Sequence, residues 1–333
     1  MIRLLLLLAA MCTALPAWSW ARSGHETVGA IAEQLLAGTH AARRLRALLP
    51  AHETLATAAL WADCVKAVDE KPPHQYRADA RFPECELFAT RKGQREMSAY
   101  VRRNLSACEP QPDQESCHRQ YHYVNLATQR ERYESGFVGA SDHDVVAALQ
   151  ACIAVLRGER PPAPFDLTQR EALRLLAHLV GDVHQPLHVG SVYLASTGQL
   201  LDPDAVGGIP ESFTAGSNRV RVGTRNLHSV WDGTPSSLET PALLSTGTRA
   251  ARDVPGTAGS VDRWPAQWAG ESVQVSDRAF EGIVFAQVAG ASQTPAWVAS
   301  LPQGYEERRE SLQREQLVRA GARLAQLLQA IWP

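Results

Sequence analysis

Apolar residues recur at helical spacing along most of the chain. In 24–38 (GHETVGAIAEQLLAG), Val28, Ile31, Ala32 and Leu35 fall on one face of a helix. Segments 40–49 and 53–68 read as two more helices, and 86–105 as a charged one. Ser141 followed by Asp144 opens 142–157 with an N-terminal capping pattern, and Thr168 followed by Glu171 does the same for 169–183. Segment 306–331 puts Leu317, Gly321, Leu324, Leu328 and Ile331 on one stripe. Between His188 and Arg225 the texture changes. Gly, Ser, Pro and Asp become frequent, and Arg219-Val220-Arg221-Val222 alternates as a hairpin strand does. A stretch this long without helical period is a candidate functional loop. No compositional break divides the chain and no repeat appears. The pattern predicts a mainly α, single-domain helical bundle with a small β-hairpin or loop insertion.

The first residues follow a different rule. Met1-Ile2-Arg3 is a short basic start, and an apolar run from Leu4 to Ala10 extends to Leu15. Ala17 and Ser19 are the small residues at −3 and −1 of a cut before Trp20. This is the pattern of an export signal over 1–19, leaving a domain over 20–333. The apolar run is too short to span a bilayer comfortably, and no later run approaches twenty apolar residues. The expectation is a periplasmic or secreted protein with no membrane span.

Composition narrows the function. Of 333 residues, 45% are hydrophobic and 20% charged, which suits a packed core. Lys and Arg number 33 against 35 Asp and Glu, a formal charge of −2. Cleavage removes Arg3, so 32 basic face 35 acidic residues and the charge becomes −3. That excludes binding nucleic acid through a large basic surface. Export also makes disulfides possible for Cys64, Cys85, Cys108, Cys117 and Cys152. The number is odd, so at least one thiol stays free or pairs between chains, and Cys85, Cys108 and Cys117, which lie in one stretch, are the favoured bridge partners. Their spacing makes no CxxC zinc motif. Asn104-Leu105-Ser106 is a glycosylation sequon, relevant only in a eukaryotic host.

Histidines and aspartates carry the candidate chemistry. In His178-Leu-Val-Gly-Asp182-Val-His184-Gln-Pro-Leu-His188, His178 and Asp182 are one helical turn apart on the same face. Pro186 ends or kinks the helix, so His188 can return toward the same space. Imidazole and carboxylate are good zinc ligands; the competing reading is a core histidine followed by a helix cap. His228 and Asp232 repeat the spacing of four before Gly233. His25, Asp63 in Leu60-Trp-Ala-Asp63, and His122 in Tyr121-His-Tyr-Val-Asn125 are weak alone. HExxH is absent, which argues against a zincin protease.

Taken in order, the set is more specific. Trp20, Ser23-Gly24-His25, Trp61-Ala62-Asp63, His122-Tyr123, His178-xxx-Asp182-xxx-Gln185-Pro186-Leu187-His188 and Asn226-Leu227-His228-xxx-Asp232 resemble the S1/P1 nuclease family, which is related to zinc-dependent phospholipase C. The motifs run from Trp20 to Asp232, about two thirds of the chain, and the remainder matches only as helical texture. The resemblance implies three Zn²⁺ on a helical scaffold. By that likeness Asp63, His122, His178 and Asp182 hold one zinc. Trp20, through its freed α-amino group and carbonyl, holds a second with His25, and Asp182 bridges the two. His188, His228 and Asp232 hold the third. The predicted cut and the family pattern independently make Trp20 the first residue. The family hydrolyses single-stranded DNA and RNA to 5′-nucleotides and removes 3′-phosphates, with hydroxide from metal-acidified water attacking phosphorus.

The likeness also assigns substrate contacts. Lys66 stands where the family has an arginine, keeping the charge but losing the bidentate fork; it reads equally as a surface lysine. Tyr123 matches an aromatic that stacks on a base. Asn125 replaces an aspartate at the base edge, and an amide both donates and accepts, so base preference is open. His184 lies inside the main motif but is not a ligand by the likeness. Two other readings stand beside the nuclease: a zinc-dependent phospholipase C, which needs a hydrophobic rim for a lipid surface, and a non-enzymatic exported zinc-binding protein. No stable protein partner is expected.

Overall fold

Local capping and tertiary demands together set where each helix begins and ends. The computed structural model describes residues 20, 22–111, 114–207, 212–288 and 297–333. The expected signal segment, 1–19, lies outside the described residues. Helix α1 (Arg22–Leu35) buries Val28, Ile31 and Ala32, as the periodicity required. α2 (His40–Leu48) starts at Thr39, whose hydroxyl accepts the Ala42 N–H at 3.1 Å. The stretch 53–68, expected as one helix, is two. A capping box of Thr54 and Thr57 opens α3 (Leu55–Ala58), and α4 (Trp61–Val65) follows. At the break, the Ala59 carbonyl turns to the His178 ring, which donates to it at 2.6 Å.

The charged helix expected over 86–105 also begins late. Pro83–Phe88 is a 3₁₀ turn, and α5 (Arg91–Asn104) starts under a Thr90 cap. α6 (Cys117–Gln120) and strand β1 (Leu126–Ala127) come next. α7 (Val145–Leu156) is capped by Asp144 rather than Ser141, because the carboxylate accepts the N–H groups of both Val146 and Ala147. α8 (Gln169–Asp182) carries the expected Thr168–Glu171 capping box. Pro186 then opens α9 (Pro186–Val189), and β2 (Gly190–Ser191) follows directly.

The remaining elements are α10 (Pro203–Val206), β3 (Val220–Val222), β4 (Arg225–Asn226), α11 (Leu227–Asp232), α12 (Thr240–Ala251), α13 (Trp264–Phe280), β5 (Val284–Gln287), β6 (Trp297–Ser300) and α14 (Tyr305–Ile331). The fold is mainly α. The expected hairpin exists as antiparallel β3–β4, with Arg221 opposite Asn226. It belongs to a larger sheet in the order β4-β3-β6-β5, in which β3 and β6 run parallel. β1 and β2 form a separate parallel pair, with Leu126 opposite Gly190. None of the helices among the described residues is long and apolar enough to cross a membrane.

Two apolar clusters meet around the candidate residues. The larger includes Trp61, Leu179 and Leu324, beside α4, α8 and α14. The smaller gathers Leu187, Leu227, Trp231, Phe285 and Trp297 around the four-stranded sheet. α14 lies against α1 at close range: a Cβ on Gly321 would stand 2.6 Å from Ile31 Cγ2, so only glycine fits there. Disulfides join Cys64 to Cys85 and Cys108 to Cys117, and Cys152 is free and buried. Cys64, left out of the group the sequence favoured, is thus the fourth bridging cysteine. The sequon does not offer a glycan acceptor. Asn104 is buried, its amide donating to the Tyr100 and Asp166 carbonyls and its oxygen accepting the Asp166 N–H.

Candidate metal centre

The eight side chains that the sequence singled out as ligands come from five helices and one connecting segment, and they converge. His25 extends from α1, Asp63 from α4, His178 and Asp182 from α8, His188 from α9, and His228 and Asp232 from α11. His122 lies between α6 and β1. The short parallel pair explains how His122 meets His188. The Val124 N–H donates to the His188 carbonyl at 2.8 Å, and His188 Nδ1 donates to the His122 carbonyl at 3.0 Å.

Three groups result, each with ligand atoms within 4.8 Å of one another: His25, His178 and Asp182; Asp63, His122 and His178; His188, His228 and Asp232. Asp182 is the hub. Its Oδ2 lies 3.0 Å from His122 Nδ1 and 3.1 Å from His178 Nε2. Its Oδ1 lies 3.5 Å from His25 Nε2 and 3.4 Å from His188 Nδ1. His178 Nε2 is 3.7 Å from Asp63 Oδ1. In the third group His188 Nε2 is 3.5 Å from Asp232 Oδ1, and His228 Nε2 is 3.6 Å from Asp232 Oδ2. His25 and His178 stack at 3.7 Å between ring centres. Gly181 makes room for this, since a Cβ there would lie 2.8 Å from His25 Nδ1.

Backbone acceptors aim the rings. His178, His188 and His228 bind the carbonyls of Ala59, His122 and Gly216 through Nδ1, which leaves Nε2 facing the carboxylates. A histidine whose second nitrogen is held this way has its tautomer and orientation fixed, as metal-ligating histidines do. Gln185 does the same for a carboxylate. Its Nε2 donates to Asp232 Oδ1 at 2.8 Å while its own Oε1 accepts the Leu187 N–H.

The electrostatics keep the buried carboxylates ionised. Asp182 is fully buried. Burial favours its neutral acid, but His178, His188 and the hydrogen bonds from His122 and His178 hold it well below the carboxylate range. Asp63 is likewise lowered against the effect of burial, by Lys66 first and then the imidazoles. Burial lowers His122 to about 3 and pushes His25 well down. Burial is the largest single effect on His178 and His188 and lowers both, but Asp182 together with Asp63 for His178, and with Asp232 and the His122 carbonyl for His188, moves them up. Among the described residues, the buried Asp182 Oδ1, His188 Nε2 and Asp232 Oδ2 find no hydrogen-bond partner. Buried polar atoms are ordinarily satisfied, so orphans gathered among imidazoles and carboxylates fit bound divalent cations.

The other candidates surround this cluster. Trp20 is buried, and its indole Nε1 donates to the carbonyl of Gly181, the residue before Asp182, at 2.9 Å. Lys66 is largely buried and donates to Asp63 Oδ1 at 2.7 Å, so it is not an ordinary surface lysine. Lys66, His122, His188 and His228 line one cleft of about 1160 Å³ that also takes in Tyr123 and Asn125. The Tyr123 hydroxyl donates to Glu115. His184 is buried on the far side of α8, between the Val180 carbonyl and Arg323, and is a framework residue rather than a solvent-exposed one. Sequence reasoning missed Gln185 as an orienting group and the arginines Arg81, Arg119 and Arg219 at the cleft. Gln185 lies inside the motif and was quoted without a role; the arginines carry no local signal.

Compared with known families, residues 20–333 match the one described as S1/P1 Nuclease. A comparison with individually curated proteins finds no match.

Proposed function

The chain belongs to the S1/P1 nuclease family, and on that footing we propose that it is an exported endonuclease using three Zn²⁺ to hydrolyse single-stranded DNA and RNA to 5′-nucleotides, with 3′-phosphate removal as a second activity. The observation that carries the reading is the convergence of three His/Asp groups at a cleft that also contains Tyr123 and Asn125. The reading takes 1–19 as a cleaved signal and 20–333 as one domain. Two disulfides suit an oxidising compartment, periplasmic or extracellular.

Asp63, His122, His178 and Asp182 would hold one zinc, His25 and the Trp20 α-amino and carbonyl groups a second with Asp182 shared, and His188, His228 and Asp232 the third. Bound there, zinc supplies charge for phosphate oxygens and a water acidic enough to attack phosphorus at neutral pH. The chain's own groups do the rest. Asp182 ties two groups together, so its position sets their spacing. Lys66 keeps a cation beside Asp63, where it adds attraction for a phosphate. Tyr123 offers a ring face, and stacking a base contributes about 1–3 kcal/mol. Asn125 would meet the base edge. Single strands are favoured because an unpaired base can reach that ring.

A phospholipase C reading shares the metals but wants an apolar rim, whereas Tyr123 and Asn125 are base-contact chemistry. A storage protein would not need an open cleft beside its metals. The test is the zinc content of the processed chain, with parallel assays on single-stranded DNA, RNA and phosphatidylcholine. Three zincs and turnover of nucleic acid are expected. Lipid turnover without nucleic-acid turnover, or full zinc with neither, overturns the reading.

A further inference from the structure

We propose that Glu115 is a positioning residue that fixes the Tyr123 ring as a preorganised stacking platform; this rests on the reading of Tyr123 as the base contact. The backbone of Tyr123 is already held, its N–H donating to the Gln120 carbonyl at 3.4 Å and its carbonyl accepting the Val145 N–H at 3.2 Å. The freedom that remains is rotation of the side chain. The bond from its hydroxyl to Glu115 Oε2, at 3.0 Å, removes that freedom.

Glu115 is itself anchored, although its side chain is exposed. Its carbonyl accepts from Gln120 Nε2 at 2.6 Å, and the next residue, Ser116, donates to Glu70. Cys117 follows, bridged to Cys108, with its N–H on the Leu105 carbonyl. The carboxylate thus stands on a stapled segment and lines the same cleft as Tyr123. A negative charge in a path for phosphates is unfavourable by simple electrostatics. Its presence there makes sense if holding the ring outweighs that repulsion, since a platform ordered in advance loses less entropy on binding.

The two effects have opposite signs, which makes the experiment decisive. Michaelis parameters on a short single-stranded oligonucleotide, affinity for a 5′-mononucleotide, and zinc content are measured for Glu115→Ala, Glu115→Gln, Tyr123→Phe, Tyr123→Ala and the Glu115→Ala/Tyr123→Phe double variant. Glu115→Ala is expected to raise KM about fivefold, equivalent to about 1 kcal/mol, with kcat and zinc unchanged. Glu115→Gln, which keeps an acceptor, recovers most of the loss. Tyr123→Phe matches Glu115→Ala, and the double variant is no worse than either. A KM that stays or falls in Glu115→Ala, or additive losses in the double variant, overturns the proposal while a raised KM in Tyr123→Ala leaves the platform standing. An unchanged KM in Tyr123→Ala overturns the platform itself.

Discussion

Asp182 faces imidazoles on both of its oxygens, at distances between 3.0 and 3.5 Å. Asp182→Asn removes the charge that serves two groups and leaves an amide to fit among nitrogens. On the proposed three-zinc reading it is expected to lower bound zinc from three per chain to one and to cut phosphodiester turnover by about 100-fold or more; elemental analysis and a nuclease assay check both. Three zincs with near-normal activity would contradict the shared-carboxylate reading. Gln185 acts one step further out, through Asp232. Gln185→Ala leaves every ligand in place, so only one group should suffer. If three zincs are held as proposed, the expected result is about 10–100-fold weaker binding of one of them, seen in competition with a chelator, while the other two are retained. Equal weakening of all three would assign Gln185 to the fold instead.

At the scale of elements, the helix without a motif frames the site. α14 reaches three ligand-bearing elements. Arg309 and Gln313 bind the free carbonyls at the end of α11, and Tyr305 accepts the Trp231 indole N–H. Gln316 and Arg323 bind the turn after α8 at His184. Gly321 lets the helix touch α1. Gly321→Val would force Ile31 and its neighbours apart, and overpacking of this kind costs about 1–3 kcal/mol. A lowered melting temperature is expected, together with weaker metal retention on the proposed reading, because α1 carries the candidate ligand His25. An unchanged melting temperature would mean that the two helices separate freely. The 3.6-residue stripe in 306–331 showed that this helix is amphipathic, but not what it touches.

For the molecule as a whole, buried histidines set an acid limit. His118 is held down to about 3, by burial first and then by Arg119, His122 and Lys66. Unfolding restores its usual value near 6.5, so the unfolded chain binds the extra proton. Stability from this group is therefore complete above about pH 6.5 and is lost as pH falls toward 3, at no more than about 1.4 kcal/mol per pH unit. Melting temperature should decline over that window, in the chelated protein as well, because His118 and the lowered His122 and His25 take their protons only on unfolding. His118→Phe is expected to flatten part of the slope. A melting temperature constant from pH 7 to pH 4 would show that these rings are solvated.

The sequence determined the helical class, the α8 capping box and the apolar face of α1, because these depend on periods, caps and residue types that act within one or two turns; the full set of candidate ligands came from the resemblance carried by the ordered motifs, since His25, Asp63 and His122 are weak alone. It misplaced the start of α5, joined α3 to α4 and passed over α12 and α13. Those boundaries answer to distant partners, such as the His178 ring that takes the Ala59 carbonyl at the α3–α4 break. Which ligands share a group, which atom each one presents, and the orienting parts of Gln185, Ala59 and Gly216 were decided only by the tertiary structure. Their contacts join residues dozens of positions apart, and a linear pattern holds no distance between segments that packing alone brings together.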